Sequence, residues 1–540
     1  QTPPDKPTGD GSQSNASGQN QNGEQNQNSG EESTLPSEQP SSNNNQSQMM
    51  NKPDGENSNM PNQMQGEKSK NIQTVYYILF GIEAFAISIL VIYLIMSNFN
   101  LKTLNETFNN GTKALSFTII VMILAAALTF LQIYITKNYL YTENSQEQIM
   151  PEAGGMNGDM NGGTSSNVTY TATKTINEDT SIDGENYTSE EADENGLLVD
   201  GDVEVKASNI TVTKSGDSDS GDTSNFYGNN SAILAKNKAN LTLSNVTVTT
   251  NASGANGVFS YGGSATTNNS DSDGTTVTIS DSKITTTGDN AGGIMTTGGG
   301  NTVASNLAIN TSGTSSAAIR TDRGGGTVTV DKGTYTTNGQ GSPTIYSTAD
   351  ISVSNAVLIA NASEGVVIEG ANSVELENCD LTDSNTKLNG QSTTYKNIFL
   401  YQSMSGDAKD GKAVFTAKNS NITTNNGDTF YITNTTAEIN LTNNTIINND
   451  NDGNFLRAQK DSWGNSGSNG GTVTLNMTNQ NAIGNIVIDS ISSLDMVMES
   501  GSYYEGTING ENSAKSITLK LDSSSKIKLT GDSYVTSFDF

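Results

Sequence analysis

The sequence predicts an all-β parallel β-helix solenoid, and three observations predict it. Ten segments repeat a short apolar strand that opens with a small or polar turn. Their spacing is roughly 20 to 36 residues, within the range of solenoid repeats. Within each segment, alternation with period 2 and enrichment in Val, Ile and Thr indicate strands. Because one such unit cannot bury its apolar face alone, the units must stack, and we expect about ten coils over residues 197–540.

The repeat is clearest when the ten segments are aligned. They are Ser231–Ala235, Asn256–Ser260, Gly292–Thr296, Ser316–Arg320, Ser342–Tyr346, Glu364–Ile368, Lys396–Leu400, Asp428–Ile432, Gly453–Arg457 and Gly484–Ile488. The most uniform column is the fourth residue, which is Leu234, Phe259, Met295, Ile319, Ile345, Val367, Phe399, Tyr431, Leu456 or Val487. We interpret this column as inward-facing core. The alternative is an outward apolar and aromatic strip on which sugar rings stack.

A second column consists of amide and carboxylate side chains. Asn245, Asp281, Asn355, Asn378 and Asn443 each lie four residues past the first apolar position of a second strand. Asn and Asp tolerate a left-handed backbone and bond local amides, which suits a sharp corner between strands. Stacked corners would align these groups into a ladder. The column therefore predicts a structural corner.

Composition excludes several classes of function. The chain has 540 residues, with 27 basic and 57 acidic side chains and a net charge of −30, which argues against a nucleic-acid partner. It contains no histidine, which removes the commonest general base and metal ligand. The single cysteine, Cys379, allows no intramolecular disulfide and is predicted to be a small buried apolar residue.

The N-terminal part differs in composition from the repeat. Residues 1–70 are rich in Gln, Asn and Ser, with almost no aliphatic side chains, so a disordered segment is expected. Residues 71–139 are expected to form a transmembrane helical hairpin. Residues 140–164 read as a linker. Residues 165–196 read as the N-terminal cap that a solenoid needs over its end coil.

The hairpin has spans at 75–96 and 115–135, each long enough to cross a bilayer. An intramembrane carboxylate is costly, so Glu83 in the first span is a functional candidate, with Gln132 of the second span as its neighbour. The interpretations are a protonated or amide-paired Glu that joins two helices, or proton or ion coupling. We expect a cell-membrane protein whose repeat region is extracellular.

Basic side chains cluster at one corner of the repeat. Only three arginines occur in the chain, and two of them flank an acidic residue in Arg320–Thr–Asp322–Arg323, before a run of glycines. Arginine forks match carboxylates, so Arg320, Asp322 and Arg323 are candidate ligands for an acidic sugar. The alternative is an Arg–Asp pair that braces a glycine turn.

Trp463 either stacks on a sugar ring or folds back over a coil.

Acidic clusters recur in the loops. The candidate calcium ligands are Asp271, Asp273, Asp450 and Asp452, because calcium takes several carboxylate and carbonyl oxygens. None of these clusters has the spacing of an EF-hand. The alternative is a solvated turn.

The stacked strands opened by Gly or Ser, and the Asn corners, resemble the right-handed parallel β-helix of the pectate-lyase-like superfamily. The Thr-, Asn- and Ser-rich coils resemble polysaccharide-binding β-helix proteins of clostridia and related adhesin-like surface proteins. The resemblance covers roughly residues 165–540. It implies binding to cellulose-like or acidic plant polysaccharides. Together with the expected hairpin, which lies outside the resemblance, it leads us to expect a membrane-anchored, adhesin-like protein of a Gram-positive bacterium that binds a polysaccharide or cell-surface glycan. The alternative is a polysaccharide lyase or hydrolase acting on acidic plant polysaccharide, a family in which aspartates hold calcium and an arginine acts as base. We favour binding over catalysis.

Overall fold

A computed structural model describes residues 168–263, 272–390 and 392–540. These residues are almost entirely β-structure, in strands numbered β1 to β37 along the chain, with one short helix, α1 (Asp222–Tyr227). Every strand pairing within them is parallel, and the strands stack in long sheets, consistent with a parallel β-helix or solenoid. The all-β, parallel part of the predicted fold class is confirmed.

The first sheet has twelve strands that pair in chain order. They are β1 (Thr171–Ile176), β4 (Glu194–Asp200), β7 (Ile233–Lys236), β10 (Val258–Tyr261), β13 (Ile294–Thr297), β15 (Ile319–Thr321), β17 (Ile345–Ser347), β20 (Val366–Glu369), β23 (Lys396–Tyr401), β26 (Asp428–Thr433), β29 (Leu456–Ala458) and β32 (Ile486–Ile488). All ten repeat segments therefore contribute strands to this sheet.

The second sheet has 22 strands in two ladders. The first ladder contains β2 (Thr180–Asp183), β5 (Glu204–Ser208), β8 (Asn240–Ser244), β11 (Thr276–Ser280), β14 (Gly300–Thr311), β16 (Gly326–Thr337), β18 (Asp350–Ser354), β21 (Ser373–Glu377), β24 (Lys412–Lys418), β27 (Thr435–Thr442), β30 (Gly471–Thr478), β33 (Ser493–Glu499), β35 (Ser516–Leu521) and β37 (Ser537–Asp539). The long strands β14 and β16 pair in both ladders.

The second ladder is completed by β3 (Asn186–Ser189), β6 (Thr211–Lys214), β9 (Thr247–Thr250), β12 (Lys283–Thr286), β19 (Val357–Ala360), β22 (Asp380–Asp383), β25 (Asn421–Thr424) and β28 (Thr445–Asn448). A third sheet contains β31 (Asn481–Ile483), β34 (Tyr503–Gly506) and β36 (Lys526–Leu529). In each ladder, apolar side chains alternate with exposed or half-buried polar ones, so one face fills the interior and the other faces outward.

One continuous hydrophobic cluster fills the interior of the stack. Its aromatic members lie in successive coils, with ring centroids 5.8 Å apart for Phe415 and Phe430, 5.4 Å for Phe430 and Phe455, and 6.4 Å for Phe455 and Tyr504. Cys379 is buried in the same cluster, as predicted. The interior is therefore closed by side chains and leaves functional groups to the outer faces and the corners.

The predicted Asn corner is confirmed. All five residues of that column have left-handed backbone, with φ between 50° and 55°. The Asn378 amide donates to Asn355 Oδ1 at 3.3 Å, and the Asn355 amide donates to Asp331 Oδ1 at 2.6 Å. The same ladder continues as Asn443 donates to Asn419 Oδ1 at 2.8 Å. These side chains hold consecutive coils together at the turn between the two ladders.

Several expected segments lie outside the described residues. They are the N-terminal segment 1–70, the hairpin spans 75–96 and 115–135, and the linker 140–164. Within the described residues, no helix has the length and apolar character required to span a bilayer. Residues 171–189, within the expected cap, form β1, β2 and β3.

Candidate functional site

The outer face of the first sheet carries most of the apolar column that the sequence predicts as core. Strand pairing aligns Leu234, Phe259 and Met295, and further along it aligns Val367, Phe399 and Tyr431. These side chains form two clusters separate from the interior cluster. The inward interpretation is therefore wrong for these residues, because successive side chains of a strand point to opposite faces.

Three members of the predicted column do belong to the interior. Ile319, Ile345 and Leu456 pack in the interior cluster, and their C-terminal neighbours take the outward positions. Strand pairing shows this register, because Met295 pairs with Arg320, Arg320 with Tyr346, and Tyr431 with Arg457. The outward strip is therefore interrupted by two arginines and a tyrosine.

Loop segments cover the outward strip. Tyr227 of α1 packs edge-on against Tyr261, with ring centroids 5.5 Å apart. Trp463 packs against Phe399 and Tyr401, both at 5.3 Å, and only 6% of its surface is exposed. Of the two predicted roles of Trp463, folding back over the chain is the observed one. The strip is therefore buried, and a sugar ring has no access to its aromatic faces.

The predicted arginine corner lies between the two apolar clusters. Arg320 Nη2 donates to Asp322 Oδ2 at 2.9 Å, and both side chains are largely buried. Arg323 Nη2 donates to Asp407 Oδ1 at 2.8 Å, and its guanidinium lies 4.0 Å from the ring centroid of Phe226. Arg323 thereby joins α1 to the loop that follows β23. The three predicted ligand residues are together, but both guanidinium groups already bind protein carboxylates, one of which is Asp322.

A buried glutamate lies beside this corner. Glu369 Oε2 accepts hydrogen bonds from the hydroxyls of Tyr346 at 2.6 Å and Tyr401 at 3.0 Å, and Oε1 accepts one from Ser403. Burial raises the pKa of Glu369, and these donors lower it. The hydroxyl set satisfies the carboxylate within the protein. Sequence reasoning missed Glu369 because its partners come from different coils.

Asp322 gives this corner a testable pH dependence. Burial raises its pKa to about 6, against the lowering effect of Arg320, so the folded state holds a proton that the unfolded state releases near pH 4. The free energy of unfolding should therefore fall as pH rises from about 4 to about 6, by roughly 1–3 kcal/mol. In Asp322→Asn this contribution is absent, and urea denaturation at several pH values should give a flatter profile.

Asp331→Asn is the control for this prediction. Hydrogen bonding, led by the Asn355 amide, lowers the pKa of the Asp331 carboxyl. Its contribution has the opposite sign and falls below about pH 4. A profile between pH 4 and pH 6 that is the same in Asp322→Asn and in the unmodified protein would contradict the assignment.

Two of the predicted calcium ligands, Asp450 and Asp273, accept hydrogen bonds from the protein itself. Asp450 Oδ2 accepts from the Gly427 amide at 2.7 Å, and its Oδ1 accepts from the Asp452 amide at 3.0 Å. Asp273 Oδ1 accepts from the amide and hydroxyl of Thr275, and Asp271 lies outside the described residues. Among the residues that the structure describes, no three His, Cys, Asp or Glu side chains converge as a metal site requires. Calcium binding at these loops stays a prediction from sequence.

Glu83 and Gln132 lie outside the described part of the chain, so their pairing stays a prediction from sequence.

An open groove of about 390 Å³ runs across the corner between the two ladders. Polar lining comes from successive coils: Asn245, Thr247, Asp281, Lys283, Asn306 and Thr334. Ala308 contributes a short side chain to this lining between the paired, longer side chains of Lys283 and Thr334. Lys283 is the one basic residue of this lining. The exposed side chains offer hydrogen-bond donors and acceptors at the spacing of the coils, about 4.8 Å.

Comparisons of the chain with protein-family models, with curated proteins and with solved structures give no significant match.

Proposed function

We propose that the solenoid binds a polysaccharide or cell-surface glycan along the corner groove, as an adhesin-like module. The observation that carries this proposal is the open polar groove, whose lining repeats from coil to coil. A linear polymer laid parallel to the stacking direction meets equivalent hydroxyl, amide and carboxylate groups at each coil. Such groups bind sugars by hydrogen bonds but are poor proton carriers. At the arginine corner, the buried Glu369 carboxylate is satisfied by protein hydroxyls, which favours binding over catalysis there.

We propose further that the solenoid is a right-handed parallel β-helix of the pectate-lyase-like kind. Connections between parallel strands of one sheet are right-handed in nearly all proteins. The expected hairpin at 75–96 and 115–135 would anchor this module to the cell membrane of a Gram-positive bacterium, with the solenoid outside. These proposals rest on the sequence pattern and on the resemblance.

The test begins with a glycan array probed with the full-length chain. The retained glycan is then titrated against Lys283→Met, which removes the charge but keeps the apolar stem, and against Thr334→Val, which removes only a hydroxyl. We expect Lys283→Met to weaken binding about tenfold, equivalent to about 1.4 kcal/mol. Lys206→Met, on an exposed lysine outside the groove lining, is the matched control and should bind normally.

Two results would overturn the proposal. One is an array without any retained glycan. The other is binding that neither groove variant changes. The alternative, a polysaccharide lyase or hydrolase, requires chain cleavage, which is followed by the ultraviolet absorbance of unsaturated product or by release of reducing ends. Cleavage that disappears in Arg320→Ala would favour the lyase.

A further inference from the structure

Lys396 is a buried primary amine that the groove does not use. It begins β23, and none of its side chain is exposed. Its Nζ lies 4.4 Å from the ring centroid of Phe399, 4.9 Å from that of Tyr431 and 5.9 Å from that of Trp463. Burial lowers the pKa of Lys396. Nζ also donates to the carbonyl oxygen of Thr394 at 2.9 Å and to Ser392 Oγ. These two oxygens are neutral, so burial still favours the neutral, nucleophilic amine.

The carboxylate nearest to this amine belongs to Glu364. Glu364 Oε1 lies 3.7 Å from Lys396 Nζ, and only 7% of the Glu364 side chain is exposed. Its other oxygen accepts a hydrogen bond from Ser363 Oγ at 2.6 Å. This contact fixes the carboxyl plane and leaves the first oxygen facing the amine.

Two other carboxylates near Lys396 are bound elsewhere. Asp428 accepts from Arg457 Nε at 2.5 Å and from the amide of Asn454 at 2.8 Å. Asp461 accepts from the Tyr431 hydroxyl at 2.5 Å. Glu364 is therefore the carboxyl group best placed to react with Lys396.

Asp383 provides a third, independent observation. It ends β22, its side chain is buried, and neither of its carboxyl oxygens has a hydrogen-bond partner among the described residues. Burial raises its pKa well above the usual value, and the nearby Glu364 charge adds to this effect. A buried carboxyl group without partners is stable only when it is protonated. Asp383 is thus a buried proton donor in the same coil as Glu364.

We propose that Lys396 and Glu364 condense to an intramolecular amide that cross-links two neighbouring coils. The Lys396 Nζ lone pair forms a bond to Glu364 Cδ, and one Cδ–O bond breaks. A proton first passes from the Lys396 ammonium to the Glu364 carboxylate, which frees the lone pair. Asp383 then gives the departing oxygen its second proton and recovers one from the nitrogen, so Asp383 is unchanged overall. The ammonium and carboxylate become one amide and one water, and nothing is oxidised or reduced. The cross-link joins the turn before β20 to the start of β23 and does not depend on glycan binding.

Mass spectrometry of the full-length chain tests this proposal. The intact mass should lie one water below the sequence mass. After proteolysis, fragmentation should identify one branched peptide that contains both Lys396 and Glu364. Mapping is essential because an Asp–Gly succinimide elsewhere would cause the same intact mass loss. Lys396→Met, which cannot form the amide, should keep its full mass. Asp383→Asn, which lacks the acidic proton, should cross-link more slowly.

Separate, unmodified peptides carrying Lys396 and Glu364 from the unmodified protein would overturn the proposal and leave an ordinary buried ion pair. This result is decisive even if a variant fails to fold, because it is read on the unmodified protein. A cross-link that forms equally fast in Asp383→Asn would refute the role of Asp383 as proton donor.

Discussion

Gly313→Ala is expected to destabilise the solenoid by about 3 kcal/mol or more, because the added methyl group has no space. A Cβ at Gly313 would lie 1.8 Å from the carbonyl oxygen of Gly288 and 2.4 Å from its carbon. Those atoms belong to the backbone of the neighbouring coil, so they cannot rotate away. Gly339 meets Gly313 in the same way, again at 1.8 Å. The substitution must therefore separate coils that stack through bare backbone.

Hydrogen exchange is the best measurement of this effect, since each repeat of a solenoid interacts only with its neighbours and opens locally. Protection should be lost first in β13, β15 and β17. Gly510→Ala is the matched control, because its Cβ would meet only Asp532 oxygen at an ordinary 3.5 Å. It should change stability by no more than about 0.5 kcal/mol. Equal protection in both variants would show that the coils can separate without cost.

Phe430→Ala should have the other large effect, a loss of about 3–5 kcal/mol. Phe430 is fully buried and contacts Phe415 on one side and Phe455 on the other. Removing the ring leaves a cavity between two aromatic neighbours in adjacent coils, and the paired backbone prevents the coils from closing it. Urea denaturation, followed by circular dichroism, measures the change.

The control for this core substitution is Phe538→Ala, since 49% of the Phe538 surface is exposed. It should cost a small fraction of the Phe430→Ala effect. Comparable losses in the two variants would contradict the idea that the aromatic row in the interior carries stability.

The strands were predictable because their signal is local. A turn of small or polar residues followed by alternating apolar residues identifies a strand without knowledge of its partners. The face that each residue occupies was less predictable. The segments beginning at Ser316, Ser342 and Gly453 have one more residue before the core position than the others. A fixed offset therefore misassigned their register, although the polar Arg320 and Arg457 signalled which position faces outward.

The corner around Arg320 was predictable only in part. Arg320 and Asp322 are two residues apart, and their pairing is local. The partner of Arg323 is Asp407, 84 residues away, and Arg320 also donates to Asn225, 95 residues away. No periodicity connects these positions, since they come from loops that fold over the outer face of the sheet. Contacts of this kind require the three-dimensional structure.

The Asn ladder at the corner has a direction. Each amide donates toward the preceding coil, as Asn209 does to Asp183, Asn245 to Asn209 and Asn479 to Asn443. A carboxylate accepts but cannot donate, so an aspartate can only begin such a run. A coil with Asn at this position donates one side-chain hydrogen bond to the preceding coil and accepts one from the following coil. During gene duplication, such a coil can be copied within a run without leaving its neighbours unpaired, and the solenoid can change length by whole coils.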